Sequence, residues 1–252
     1  MEKEKKEAGH RFLARLGKKR LRPGGRKATE WLLSHAGLTK DSRVLEVACN
    51  MGTTAIDVAG RFGCHITGID TDDNALEKAR ENVARANLGD RITLQHANAL
   101  ELPFPDDSFD VVINEAMLTM YPDEAKTRVL QEYARVLKPG GRLLTQDVML
   151  SDNAPDDIIT RMRETIHVNT RPLTKNGWET LFGRTFGTVL TSNGSMTLMS
   201  PRGMIRDEGF WGALRIFRNA LKPENRPMFM AMFRTFRRNR DHINYLASCC
   251  TK

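Results

Sequence analysis

Arg43-Val44-Leu45-Glu46-Val47-Ala48-Cys49-Asn50-Met51-Gly52-Thr53-Thr54 decides the fold. An apolar run ends in an acid, a turn of small residues follows, and a helix begins. A second apolar run, Ile66-Thr67-Gly68-Ile69, ends about twenty residues later in Asp70. This is the layout of a nucleotide-type cofactor site on a parallel sheet. The first turn meets the ligand with its backbone, and the second strand's acid takes a pair of ribose hydroxyls.

Working outward, strands alternate with helices. Strands are expected at Arg43–Ala48, His65–Asp70, Arg91–His96, Phe109–Asn114 and Arg142–Val148. Helices between them are marked by apolar residues at helical spacing, as with Leu76, Ala79 and Val83. Lys138-Pro139-Gly140-Gly141 reads as a helix stop and tight turn. That alternation argues for a doubly wound α/β sheet. A helix is expected from Ala28 to Leu38. Phe186–Thr191 reads as a strand, with Asn193-Gly194 a turn or bulge signal, and Ile243–Cys250 as a closing strand. Residues 1–27 form a basic arm or short helix, and 28–252 form the main domain. Within it, 203–240 looks like an insertion of two helices. One helix carries the stripe Phe210, Leu214, Phe217 and Leu221, the other Phe229, Met232, Phe233 and Phe236. The second stripe suits an apolar wall over an acceptor pocket.

At 252 residues with a formal charge of +8, the chain fits one large globular domain. No apolar run is long enough to span a membrane. The charged start lacks the core of a signal peptide. Cys49, Cys64, Cys249 and Cys250 follow no zinc or disulfide pattern, so a reducing cytoplasm is the expected setting and no metal is expected. In a strand, Cys249 and Cys250 would face opposite ways. The charge is uneven: about +8 over residues 1–40, −7 over 41–198 and +7 over 199–252. The basic flanks raise an acidic substrate, an anionic membrane surface or RNA as partners, against plain solvated helix faces.

The motifs Leu45–Gly52, Gly68-Ile69-Asp70, Leu102-Pro103-Phe104-Pro105-Asp106-Asp107-Ser108-Phe109-Asp110 and Leu137-Lys138-Pro139-Gly140-Gly141 occur in a fixed order. In these motifs the chain resembles class I S-adenosylmethionine-dependent methyltransferases, and within them the small-molecule branch of quinone and sterol enzymes. The resemblance covers about residues 28–150. It implies a Rossmann-like sheet of seven strands, mostly parallel with an antiparallel last strand, and S-adenosylmethionine as cofactor. It places Glu46, Ala48, Cys49, Asn50 and Gly52 at the methionine end, Asp70 on the ribose, and Thr71, Asn98 and Ala99 by the adenine. Asn114 borders the methyl group. The usual three-glycine turn reads Ala48-Cys49-Asn50-Met51-Gly52. Asn50 is among the side chains that best tolerate a left-handed backbone. A dehydrogenase would want glycine where Ala48 and Asn50 stand.

A sulfonium methyl is already activated, so positioning can supply most of the acceleration. A base is needed only for a protonated, poorly nucleophilic acceptor. Glu115, Tyr121 and His167 are the catalytic candidates, each with a structural role as its alternative. The expected activity is methyl transfer to a small organic acceptor, apolar or acidic, with oligomerisation through the insertion open. The alternatives are an RNA methyltransferase using the basic flanks and a non-catalytic cofactor-binding scaffold. The flanks lack interleaved stacking aromatics in the N-terminal arm, which argues against nucleic acid.

Overall fold

The computed structural model describes residues 7–252; residues 1–6 of the expected basic arm lie outside them. The strands are β1 (Arg43–Val47), β2 (His65–Asp70), β3 (Ile92–His96), β4 (Phe109–Glu115), β5 (Leu137–Leu150), β6 (Leu173–Thr174), β7 (Thr188–Ser195) and β8 (Ile243–Thr251). The helices are α1 (Gly9–Leu16), α2 (Gly25–Ser34), α3 (Thr53–Phe62), α4 (Asp73–Arg85), α5 (Asp123–Val136), α6 (Ile158–Ile166), α7 (Lys175–Gly183), α8 (Pro201–Ala220) and α9 (Arg226–Arg238). The main sheet runs β3-β2-β1-β4-β5-β8-β7, and the two-residue β6 pairs with the end of β5. β1 to β5 are mutually parallel, and β8 is antiparallel to both of its neighbours.

Residues alternate across the strands and build two cores. On one face Leu45, Val47, Val112 and Cys250 pack with Val129, Leu130 and Tyr133 of α5 and Trp178 of α7. On the other, Val44, Ile66, Val111 and Cys249 pack with Leu32 of α2 and Val58 of α3. Cys249 and Cys250 thus do face opposite ways, and all four cysteines are buried and free. The reversal of strand order between β1 and β4 opens a crevice at their carboxyl ends, where ligands of such sheets bind.

A third core caps that crevice. Phe12, Leu13 and Leu16 of α1 pack with Met204, Ala213 and Ile216 of α8 and with Phe229 and Met232 of α9. Polar contacts pin the same cap. Lys18 is fully buried, with its ammonium 3.8 Å from Asp207 and 3.5 Å from Glu208. The Glu208 carboxylate also accepts from the backbone N–H groups of Lys19 and Arg20, at 3.0 and 2.9 Å. The N-terminal segment is therefore an integral part of the cap.

The structure corrects three local readings. Lys138–Gly141 is not a turn but the bulged start of β5, because Leu137 pairs with Phe109 as soon as α5 ends. Asn193-Gly194 lies inside β7, paired with Leu246 and Tyr245. The Tyr245 ring lies over Gly194, where a Cβ would stand 3.0 Å from it, so long-range pairing overrides the local turn preference. α2 ends at Ser34 rather than Leu38, since the backbone turns at His35.

Candidate cofactor and acceptor site

The turn after β1 holds three left-handed residues in five: Ala48 at φ 56°, Asn50 at φ 48° and Gly52 at φ 71°. Such a conformation costs a non-glycine residue about 1–3 kcal/mol, and strain of that kind gathers at ligand sites. The Asn50 N–H donates to Asp70 Oδ2 at 2.8 Å, and the Asp72 N–H to Asp70 Oδ1 at 3.0 Å. The acid at the end of β2 thus orders the turn after β1, and each oxygen keeps acceptor capacity for a hydroxyl. Cys49 is buried beneath the turn, its N–H donating to Ile69 O at 2.9 Å. A Cβ on Gly68 would stand 2.7 Å from the end of the Leu94 side chain and 3.2 Å from Cys49 Sγ, so glycine leaves both side chains their room.

Two acceptors at this end of the sheet have no partner among the described residues: Glu46 Oε2 and Asn114 Oδ1, both buried. Glu46 precedes Val47, which pairs in register with Asn114. Burial first, and then the Glu115 carboxylate nearby, push the Glu46 carboxyl up to about 8. Unpaired buried acceptors are rare in folded proteins and invite a donor. The ammonium of an amino-acid group is such a donor, and hydroxyls suit Asp70. The donor set therefore fits S-adenosylmethionine.

The other expected cofactor residues lie at the rim. Thr71 is exposed, and Asn98 Oδ1 accepts from the Leu100 N–H at 3.0 Å. The Ala99 side chain is buried in the core, which leaves its backbone to reach a ligand.

At the carboxyl ends of β4 and β5 lies a cavity with about 670 Å³ of atom-free space, part of it open to solvent. Its lining is mostly apolar, including Leu13 of α1, Met162 and Ile166 of α6, and Met232 and Phe236 of α9. Ala116 (φ 63°), Thr119, Asp147 and Val148 form the floor at the ends of β4 and β5. The stripe on α9 is split: Met232 and Phe236 line the cavity, whereas Phe229 and Phe233 stack together with centroids 6.3 Å apart.

None of the three catalytic candidates lines this cavity. Glu115 accepts from Arg22 Nη1, from Thr29 at 2.7 Å, from Thr54 at 2.9 Å and from Gln146. Its carboxylate is held by four donors from four separate segments. Tyr121 is half-buried against the core under α5, and burial raises its phenol pKa. His167 ends α6 in a left-handed conformation, with Nδ1 3.0 Å from the Glu7 carbonyl.

The titratable groups that do line the cavity are His10 and Asp147. His10 Nδ1 is buried without a partner among the described residues. Burial and then Arg11 lower its pKa, against the pull of Asp70 and Asp72. Asp147 accepts from the Thr119 N–H and hydroxyl at 2.9 and 2.7 Å, and burial pushes it up to about 6. Sequence reasoning passed over both. His10 lies about sixty residues ahead of the carboxylates it approaches, and Asp147 sits inside a strand. Only the unusual presence of an acid in a core strand signalled Asp147.

A switch-point crevice, a strained small-residue turn tied to a strand-end acid, and an apolar pocket at the ends of β4 and β5 define a nucleotide-cofactor enzyme of the α/β class. Comparison with known proteins makes this specific. A methyltransferase-domain family model matches residues 44–141. The chain is 56% identical to an uncharacterized protein of Haemophilus influenzae, over 98% of this chain and 99% of that one. It is 44% identical to the demethylmenaquinone methyltransferase of Listeria monocytogenes over 110 residues, 43% of this chain and 45% of the enzyme. The match thus spans under half of that curated relative. Haemonchus contortus phosphoethanolamine N-methyltransferase 2, solved with phosphomonomethylethanolamine and S-adenosylhomocysteine, superposes with a TM-score of 0.77 at 19% identity. That alignment covers 97% of this chain and 57% of the other. The protein belongs to the class I S-adenosylmethionine-dependent methyltransferases.

Proposed function

We propose that the protein transfers a methyl group from S-adenosylmethionine to a small, predominantly apolar organic acceptor held under α1 and α9. The observation that carries this reading is the apolar cavity at the ends of β4 and β5, lined by His10, which also feels the Asp70 carboxylate that orders the turn. The cofactor, when bound, supplies a sulfonium methyl already activated for in-line displacement.

The chain's own residues position and desolvate. Asp70 accepts from ribose hydroxyls, while Glu46 and Asn114 accept from the amino-acid end. Leu13, Met232 and Phe236 exclude water from the acceptor. Glu115 holds the ends of β4 and β5 to the N-terminal segment and is a positioning residue. His10, with a depressed pKa and a free ring nitrogen, is neutral at physiological pH and takes the proton of an acceptor that brings one. A small acceptor is favoured over nucleic acid because four of the described N-terminal basic residues are engaged within the protein. Lys18 and Arg22 are buried, Arg15 pairs with Glu7 at 2.8 Å, and Arg20 donates to Asp207 O at 2.7 Å.

Calorimetric titration with S-adenosylmethionine tests the reading. Micromolar binding is expected, weakened about 100-fold in Asp70→Ala, about 3 kcal/mol for two charge-assisted hydrogen bonds. Absence of binding by the wild-type chain would overturn it. Once an acceptor is in hand, the acid limb of kcat/KM should lie below the ordinary histidine value and disappear in His10→Gln. An unmoved limb would remove His10 from the chemistry.

A further inference from the structure

The cofactor turn and the cavity leave one conspicuous feature unused. Of the stripe Phe210, Leu214, Phe217 and Leu221, only Phe217 packs into the cap, against Phe229; the other three face solvent, and Trp211 joins them. Phe210 is 62% exposed, Trp211 78%, Leu214 49% and Leu221 62%. The opposite side of the helix, with Ala213, Ile216 and Ala220, is what packs into the cap. Scattered exposed apolar residues are ordinary, but four large ones along three turns of one helix are a patch.

The patch sits in a strongly basic setting. Residues 209–240 hold eight arginines and lysines and a single acid, Glu224. Arg218 and Lys222 fall along one flank of the stripe at helical spacing, and neither forms an ion pair among the described residues. A helix with Phe, Trp and Leu on one side and Arg and Lys beside them is the composition that lies in the headgroup region of a bilayer. A tryptophan suits that depth, where its ring is half in water.

We infer that the outer face of α8 docks the protein on an anionic lipid surface. The charge complements phosphate headgroups, and the apolar row enters between them. A second copy of this chain fits less well. A twofold contact would set the same arginines against each other without acids to meet them. Nucleic acid would give Leu214 and Leu221 nothing to stack on.

The test uses the full chain and phosphatidylcholine vesicles with and without phosphatidylglycerol, and no cofactor, so its outcome is independent of the methyl-transfer reading. Co-sedimentation with the anionic vesicles is expected, weakened by salt, with a blue shift of tryptophan emission. Phe210→Ser with Trp211→Ser should reduce binding at least about tenfold while the melting temperature holds, since both side chains are exposed. Arg218→Glu with Lys222→Glu should reduce it similarly. Failure of the wild type to sediment with anionic vesicles would overturn the inference. So would binding that persists in Phe210→Ser/Trp211→Ser, or a concentration-dependent dimer that this variant dissociates.

Discussion

Glu46→Gln is expected to abolish tight S-adenosylmethionine binding and at the same time to make the protein more stable. The two effects have one cause. Glu46 is buried, one oxygen has no partner among the described residues, and its carboxyl is pushed up to about 8. The folded state therefore holds a proton that the unfolded chain releases near 4.5. Stability from this group is undiminished below the unfolded value and falls as pH rises toward 8. At pH 7 the loss is about 3 kcal/mol, of which glutamine should recover about 2 kcal/mol, or roughly 5 °C in melting temperature for a domain of this size. A neutral amide can accept from an ammonium but gives it no counter-charge, and losing one partner of a buried charge pair costs about 4 kcal/mol, close to a thousandfold in Kd. Differential scanning fluorimetry across pH, together with calorimetry, reads both. Binding to the wild type near pH 7 should also release a proton, visible as a dependence of the heat on the buffer. A variant that binds normally, or one that melts lower with no change in pH slope, would remove Glu46 from the cofactor site.

Arg22→Met is expected to be strongly destabilising in the opposite sense. Arg22 is buried and donates through Nη1 to Thr29 at 2.8 Å, to Thr54 at 3.0 Å and to Glu115. Without it the Glu115 carboxylate stays buried among neutral donors with no counter-charge. Breaking a buried pair from one side costs about 3–5 kcal/mol, on the order of 10 °C here. The double variant Arg22→Met/Glu115→Gln should recover most of that loss, because the orphaned charge is gone. A double-mutant cycle measures the coupling. Additive losses would mean that Arg22 and Glu115 act separately.

Much of the sheet was legible because its signals are local. An apolar run, an acid, a turn and a helix lie within a dozen residues of one another, and Asp70 ends the next strand. The positions of Asp70 at the end of β2 and of Asn114 near the end of β4 could be read for the same reason. Where Asn193-Gly194 and Lys138–Gly141 misled, the local preference for a turn was real, but pairing with β8 and β4 outweighed it.

The acceptor side was illegible because it is assembled at long range. His10 reaches the cavity only because Phe12, Leu13 and Leu16 dock on helices two hundred residues later. Glu115 reads as a free carboxylate at a strand end. It becomes an anchor once Arg22, Thr54 and Gln146 close on it from 93, 61 and 31 positions away. Helical spacing revealed the two stripes of the insertion but not their partners. It could not tell that Phe236 faces a cavity, Phe233 its neighbour Phe229, and Phe210 the solvent. The sequence by itself determined the layer order and the cofactor turn, since hydrophobic period and backbone preference act between near neighbours. The tertiary structure alone decided which polar groups share a cavity, which charge is neutralised and which apolar face is left uncovered. Those depend on desolvation and packing between segments that are distant in the chain.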